Sequence, residues 1–300
     1  MKKIKLLVSL GLVLVLILSI VPTYANEKGE TEEKSTIEIL EENLATEDFS
    51  EDEKNVINEM IKAKKETEKQ VLESLKVADK EAKEKIKKNK KYLIDEETAR
   101  KQEALGFLET SASSTITLSL GNPFTFTYAA EGKNGGSKTG VVTTYGSSYD
   151  LNKARNLTNS ETVGTGNATG WAWTGRRFII SGTGSKTAYF SIEGDYIGYL
   201  LSGGRGNVSQ LSNEFRLYNA TTQSWVSTKN ITLDTVTMEN ESSLVGTFNK
   251  SNLITATLQA GHEYVILMQT DAYTYSTLGT SIANIKDSHY SQWKSVKLTY

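Results

Sequence analysis

The chain has 300 residues, contains no cysteine and carries a formal net charge of −2. The absence of cysteine excludes disulfides, thiol catalysis, cysteine metal sites and lipid attachment at a signal-peptide cysteine. A chain of this length can bury a hydrophobic core without such cross-links.

Residues 1–25 have the order of a secretory signal peptide. Three lysines precede a largely apolar run at 6–21, and Ala25 ends a cleavage motif of small residues. The run is shorter than the roughly 20 residues that cross a bilayer. We therefore expect a cleaved leader and a secreted, extracellular mature protein without a transmembrane segment. The lysine-rich leader and the lack of cysteine suggest a bacterial source.

Charge divides the rest of the chain into two parts. Residues 26–110 carry 17 Lys and Arg and 24 Asp and Glu, whereas residues 111–300 carry only 14 and 12. The second part is rich in Gly, Ser, Thr, Asn and aromatic residues. A change this sharp predicts a domain boundary near 108–114. We expect a signal peptide at 1–25, a charged helical segment at 26–110 and a β-sandwich domain at 111–300.

The charged segment has the composition of a helix, with many Glu, Lys, Ala and Leu residues and no proline. Ser50 and Glu53 fit a capping box, and Asp95 fits the start of a second helix ending near Gly106. Val56, Ile57, Met60 and Ile61 form one apolar patch, and a thin stripe of Val71, Leu75, Ala78, Ala82 and Ile86 follows in three- and four-residue steps. Because so narrow a stripe cannot form a core, the segment must fold on itself, pair with another chain or stay partly solvated.

Charge is also polarised within this segment. Residues 26–61 carry 3 basic and 13 acidic side chains, and residues 62–94 carry 12 and 6. The two arms could close as a hairpin or pair between chains, which would give self-association. We favour a solvated helix, a stalk whose Glu and Lys residues pair four positions apart. The basic run at 83–91 could hold the protein loosely at an anionic cell-wall polymer.

The region from residue 114 onward alternates between apolar and polar residues, as half-buried strands do. The alternation occurs at 116–120, 124–128, 188–192, 215–217 and 296–300. Clusters of turn-forming residues lie between the strands, at 131–136, 202–207 and 239–242. Many short strands separated by turns predict an antiparallel β-sandwich of the jelly-roll kind. The predicted fold is therefore mainly β, preceded by charged helix.

Metal and cofactor sites have little support in the sequence. The only histidines are His262 and His289, and the spacing of a zinc protease motif is absent. Glu193 and Asp195 flank Gly194 in a predicted β-turn, which lacks the spaced acidic residues of a dedicated calcium loop. We expect no cofactor and no metal, with calcium as the alternative.

Catalytic motifs are also missing, and we identify no catalytic residue. The chain has no nucleophile elbow of the Gly-x-Ser-x-Gly type. A glycosidase needs only two carboxylates about 5 to 10 Å apart. The β region has 12 acidic residues, so a carboxylate pair remains open.

Aromatic pairs are the most informative feature of the β region. Two tryptophans and two tyrosines lie two positions apart, so each pair shares a face of its strand. Exposed rings of this kind stack on sugar rings, and two adjacent arginines could add polar or anionic contacts. The predicted ligand-binding residues are Trp171, Trp173, Arg176, Arg177, Tyr273 and Tyr275. Such rings more commonly fill the sandwich core, so an exposed binding surface and a buried core both remain open for them.

These observations predict an exported, non-catalytic protein whose β-sandwich binds an extracellular glycan or another component of the cell envelope. The first alternative is a secreted glycan hydrolase that uses a carboxylate pair. The second is a secreted toxin or interaction protein in which residues 26–110 are a removable pro-segment. Outside the cell, we expect no nucleic-acid partner.

Overall fold

The computed structural model describes residues 34–47, 49–88, 93–104, 115–204, 206–237, 239–285 and 289–300. The predicted signal peptide at 1–25 and the predicted boundary at 108–114 lie outside the described residues. So do residues 89–91 of the basic run and the predicted helix end near residue 106. No helix within the described ranges has the length and apolar character needed to cross a membrane.

Three helices open the described chain: α1 (Thr36–Thr46), α2 (Glu51–Lys88) and α3 (Glu96–Ala104). The capping box predicted for α2 is confirmed, since Ser50 Oγ accepts the Glu53 amide at 3.4 Å and the Glu53 carboxylate accepts the Ser50 amide at 2.7 Å. Asp95 caps α3 by accepting the Thr98 amide at 2.8 Å. Both predicted helix starts are therefore correct.

Twelve strands follow or separate these helices in the described ranges: β1 (Leu93–Ile94), β2 (Thr115–Ser119), β3 (Phe124–Phe126), β4 (Glu131–Asp150), β5 (Arg155–Ser181), β6 (Ser185–Gly203), β7 (Val208–Asn219), β8 (Ser224–Thr237), β9 (Asn240–Gln259), β10 (Glu263–Ser276), β11 (Thr280–Ile285) and β12 (Tyr290–Thr299). They form one connected sheet, antiparallel except where β2 pairs with β1 and β5. The predicted fold, mainly antiparallel β with helices before it, is confirmed.

Strand β5, 27 residues long, belongs to both layers of the sandwich. Its C-terminal half pairs with β10, which is followed by β7 and β8, and its N-terminal half pairs with β11, which is followed by β6. On β6, further pairing adds β12 and β9. Alternate residues of the two layers meet in a buried core that includes Phe178, Phe190, Phe215, Tyr264, Ile266, Trp293 and Leu298.

Helix α2 covers the outer face of β5, β10 and β7, the face opposite to that core. Val71 and Leu75 of α2 pack with Trp171, Trp173 and Leu267. The apolar stripe of α2 is thus covered by the sandwich of the same chain, and the solvated-helix interpretation is wrong for its buried face, which extends to residue 79. From residue 80 to residue 88 the helix is mostly exposed.

The short segment of β1 and α3 contacts the sandwich through backbone pairing and core packing, unlike α2. Strand β1 pairs through its backbone with β2. Ala99 of α3 lies in the main core, and the carboxylates of Glu96 and Glu103 accept the backbone amides of Ser119 and Thr127. Helix α2, by contrast, contacts the sheet mainly through side chains.

Two of the predicted turns are wrong. The glycine-rich segment at 131–136 begins β4, and the segment around Gly194 lies inside β6, so the β-turn predicted at 193–195 does not exist. These glycines leave space for aromatic rings of the neighbouring strands, which pack against the glycine positions. A Cβ atom on Gly135 would lie 2.5 Å from the Trp171 ring, and one on Gly194 would lie 2.4 Å from the Phe248 ring. In the described part of the chain, no three His, Asp or Glu side chains are grouped to hold a metal ion.

Candidate functional site

Five of the six predicted ligand-binding residues share one face of the sheet, beneath α2. They are Trp171, Trp173, Arg177, Tyr273 and Tyr275. Trp171 is 4% exposed, Trp173 0% and Tyr273 5%, while Tyr275 is half-buried. The rings therefore lie neither in the sandwich core nor in solvent, but between the sheet and a helix from the preceding segment.

Arg176 is separated from the other five because it points into the sandwich core. Its guanidinium donates a hydrogen bond of 2.6 Å to the Tyr128 hydroxyl and lies 4.3 Å from the centre of that ring. Two of its nitrogens, Nε and Nη1, have no hydrogen-bond partner in the described part of the chain. Burial lowers the pKa of Arg176.

Polar side chains lie directly opposite the two tryptophans. Asp271 is paired with Trp171 across the β5–β10 ladder, and Gln269 is paired with Trp173. One strand further, Glu214 of β7 is paired with Gln269. We call this surface, with Trp171, Trp173, Gln269, Asp271, Glu214 and Arg216 at its centre, the covered face. Sequence reasoning did not identify its polar members, although alternation along β10 places Gln269 and Asp271 on the same face as Tyr273.

Glu214 and Asp271 together hold an ammonium group that α2 supplies. The Lys64 Nζ atom lies 3.1 Å from the Glu214 carboxylate and also contacts the Asp271 carboxylate. Burial alone would raise the pKa of Glu214, but the positive charges of Lys64 and Arg216 lower it to about 2. Burial opposes the charge of Lys64, yet Asp271 and Glu214 outweigh that effect and raise its pKa.

Arg216 organises the polar side chains around this pair. Its guanidinium donates to the Gln269 amide oxygen, and the Gln269 amide nitrogen donates to the Asp271 carboxylate at 2.8 Å. The guanidinium also lies 4.0 Å from the centre of the Trp225 ring. From α2, Glu68 reaches Arg216 at 3.2 Å.

The two indoles of the covered face are hydrogen-bonded to α2. Trp171 Nε1 donates to Gln70 Oε1 at 2.9 Å, and Trp173 Nε1 donates to Ser74 Oγ at 2.9 Å. The flat position of the Trp171 ring depends on Gly135, because a larger residue on β4 would collide with it. The helix thus supplies polar partners to rings that belong to the sheet.

A second charged contact lies at the other end of the covered face. The Arg177 guanidinium is within 3.0 Å of Asp79 on α2, 3.1 Å of Glu131 and 3.2 Å of Glu263. Burial acts to lower the pKa of Arg177, and the surrounding carboxylates raise it above its usual value. Lys64 and Asp79 are about 22 Å apart along the helix at 1.5 Å per residue. The helix therefore presents a cation and an anion to complementary groups of the sheet.

The helix does not satisfy every polar group beneath it. The hydroxyls of Tyr218, Tyr273 and Thr169 are buried and lack a hydrogen-bond partner within the described residues. Tyr273 lies opposite Thr169 on the β5–β10 ladder, and Tyr218 faces α2 from β7. Stacking rings, two carboxylates, an amide and free hydroxyls on one surface are suited to a flat polar ligand.

Comparison with known proteins gives no family. The chain matches no protein-family model and none of the curated proteins. Solved structures match about half of it. A carbohydrate-binding module from the β-sandwich superfamily is 10% identical over 54% of this chain and 56% of that chain, with a TM-score of 0.23.

Two further structures show similar agreement. The CBM22-1 and GH10 modules of Clostridium thermocellum endo-1,4-β-D-xylanase 10B, complexed with xylohexaose, are 10% identical over 55% of this chain and 26% of that chain, with a TM-score of 0.18. A structure of infectious bursal disease virus, Gt strain, is 11% identical over 59% of this chain and 41% of that chain, with a TM-score of 0.21. Similarities this low give no information on what the covered face binds.

Proposed function

We propose that the protein is an exported, non-catalytic protein that binds an extracellular glycan on the covered face. The observation that supports this most strongly is the pairing of Trp171 and Trp173 with Asp271 and Gln269 on the same surface. Indole rings stack on the C–H faces of sugars, and neighbouring carboxylate and amide groups bind sugar hydroxyls. Secretion is part of the proposal and depends on the leader predicted at residues 1–25.

Binding in this mode requires α2 to leave the sheet. The helix occupies the ring faces and bonds both indole nitrogens, so helix and glycan compete for one surface. The contacts of α2 with the sheet include many charged and polar groups, which can be hydrated again on release, as in interfaces that open and close. The competition requires release of α2 alone, because β1 and α3 are joined to the sandwich by backbone pairing and by Ala99 in its core.

The proposal is tested by opening the face in the full chain. Val71 and Leu75 are both 0% exposed beneath α2, and the double variant Val71→Asp, Leu75→Asp buries two charges there without changing the sheet. The matched control is Val77→Asp on the same helix, since Val77 is 52% exposed. Opening is measured by acrylamide quenching of tryptophan fluorescence, and binding is measured on a glycan array.

Because Trp225 is half-buried, the wild type has a basal level of quenching. We expect the double variant to exceed this level and to bind glycans, while Val77→Asp stays at the wild-type level and neither it nor the wild type binds. Adding Trp171→Ala to the double variant should abolish binding. A double variant whose tryptophans are quenched but which binds no glycan would refute the proposed function. The β-sheet signal in circular dichroism serves as the check that the sandwich itself remains folded.

Hydrolysis of a bound glycan is a second candidate function. Glu214 and Asp271 contact the same nitrogen, so their carboxyl groups are close, and retaining glycosidases use carboxyl groups about 5 to 5.5 Å apart. If the protein hydrolyses the glycan, the opened double variant should release reducing sugars. Adding Glu214→Gln or Asp271→Asn to the double variant should stop the release. Binding without release favours the non-catalytic function.

A further inference from the structure

The sandwich contains a cation site that Lys64 of α2 fills. We infer that the covered face takes a glycan built of amino sugars with free, protonated amines, and that one amine replaces the Lys64 ammonium between Glu214 and Asp271. This inference rests on the proposed function and names the class of glycan. It concerns groups that belong to the sheet, with α2 acting as an internal substitute for the ligand.

Both carboxylates of the cation site belong to the sheet. Asp271 is paired with Ser212, two residues before Glu214 on β7, so the two carboxylates are diagonal neighbours on one face. The Gln269 amide donates to both oxygens of Asp271, at 2.8 and 3.1 Å, and Arg216 fixes Gln269 in turn. Gln269 and Arg216 belong to the sheet, so Asp271 keeps these partners when α2 leaves. Glu214 also accepts the Thr36 amide of α1 at 3.0 Å.

Without α2, the net negative charge of this site favours the binding of a cation. The sandwich contributes the carboxylates of Glu214 and Asp271 and the guanidinium of Arg216, which lies 3.8 Å from Glu214. When α2 leaves, it removes Lys64, and one negative charge in this group is left without a counterion. Neutral hydroxyls would leave that charge uncompensated, whereas an ammonium forms charge-assisted hydrogen bonds with both carboxylates.

The neighbours of the site indicate an amine on a sugar. In the described part of the chain, no third His, Asp or Glu joins the two carboxylates, whereas an ammonium needs only acceptors for its three N–H groups. Asp271 lies directly opposite Trp171, and side chains so paired are about 5 Å apart at Cβ. A ring stacked on Trp171 therefore brings its own amine substituent within reach of Asp271.

An independent observation shows that α2 is an incomplete partner for this face. The buried hydroxyls of Thr169, Tyr218 and Tyr273 lack a hydrogen-bond partner among the described residues while the helix is in place. Buried polar groups in folded proteins are nearly always paired, so three unpaired hydroxyls on one surface need an explanation. The ring hydroxyls of a glycan offer donors and acceptors that the helix does not provide at these positions.

The test uses the full chain carrying Val71→Asp and Leu75→Asp. Three probes are compared by isothermal titration calorimetry: a β-1,4-linked glucosamine hexamer, the fully N-acetylated hexamer and hexalysine. We expect the glucosamine hexamer to bind at least about tenfold more tightly than either of the others. Asp271→Asn and Glu214→Gln should abolish this preference, while Glu241→Gln, on an exposed acid of β9, should preserve it.

The outcomes separate the two proposals. Equal or tighter binding of the N-acetylated hexamer overturns the inference and leaves glycan binding intact, whereas binding of no sugar overturns both. Hexalysine binding as tightly as the glucosamine hexamer shows a general cation site and also overturns the inference. Should either carboxylate variant fail to fold, salt titration of the opened chain decides: added salt must weaken glucosamine binding and spare the N-acetylated probe.

Discussion

The Lys64 ammonium on α2 lies 3.1 Å from the Glu214 carboxylate on β7, and the two side chains are 6% and 0% exposed. A buried ion pair of this kind adds little stability compared with well-packed apolar residues, but breaking it leaves a buried charge without a partner. The pair therefore fixes one position of the helix on the sheet more than it strengthens the attachment.

Lys64→Met should lower the free energy of unfolding by about 3 to 5 kcal/mol, because Glu214 and Asp271 lose their shared counterion. The control is Lys65→Met, since Lys65 is 57% exposed and pairs with Glu41 on the surface. A surface pair of this kind contributes about 0 to 1 kcal/mol. Urea denaturation followed by tryptophan fluorescence measures both losses, and equal losses would contradict the structural role given to Lys64.

Acid should lower the stability of the folded protein, because the Glu214 carboxylate becomes protonated. Its pKa falls from 4.5 in the unfolded chain to about 2 in the folded protein. A lowered pKa means that the carboxylate stabilises the fold fully above about pH 4.5 and that this contribution is lost as the pH falls toward 2. The urea midpoint should decline across this window in the wild type, and Glu214→Gln should show a smaller decline. An identical decline in both proteins would assign the acid sensitivity to other carboxyl groups.

Replacement by methionine should destabilise the protein much more at Arg177 than at its neighbour Arg176. Arg177→Met leaves Glu131 and Glu263 without their cation and leaves Asp79 with Lys83 alone, and we expect a loss of about 3 to 5 kcal/mol. Arg176 has two buried nitrogens without a partner in the described chain, so Arg176→Met should cost less than about 1.5 kcal/mol or stabilise the protein. Thermal unfolding ranks the two variants, and the reverse order would contradict these assignments.

Local patterns predicted the elements well. The capping box at Ser50 and the cap at Asp95 depend on residues three positions apart, and alternation in β6 and β12 depends on residues two apart. Strand β7 was predicted to be half-buried and is buried on both faces. The shared face of Trp171 and Trp173 follows from the same period. Each of these signals is complete within a few residues of sequence.

Features that depend on distant residues were not predicted. Gly135 and Gly194 resemble turn glycines, and only the rings of Trp171 and Phe248 on other strands explain their place within β4 and β6. Lys64 is one of several lysines in its helix, and nothing local distinguishes it. The pairing of Asp271 with Trp171 requires the register of β5 and β10, which the alternation of each strand alone does not fix.

The connection between α2 and the sandwich has a consequence for how the protein responds to concentration. Only residues 89–92 separate the end of α2 from β1, which is anchored by backbone pairing with β2. The helix is thus a tethered competitor whose effective concentration, in the millimolar range for short linkers, is set by the chain and not by the solution. Diluting the protein leaves the face covered to the same extent. Under the proposed function, more glycan or a cut in the connecting chain should shift the balance.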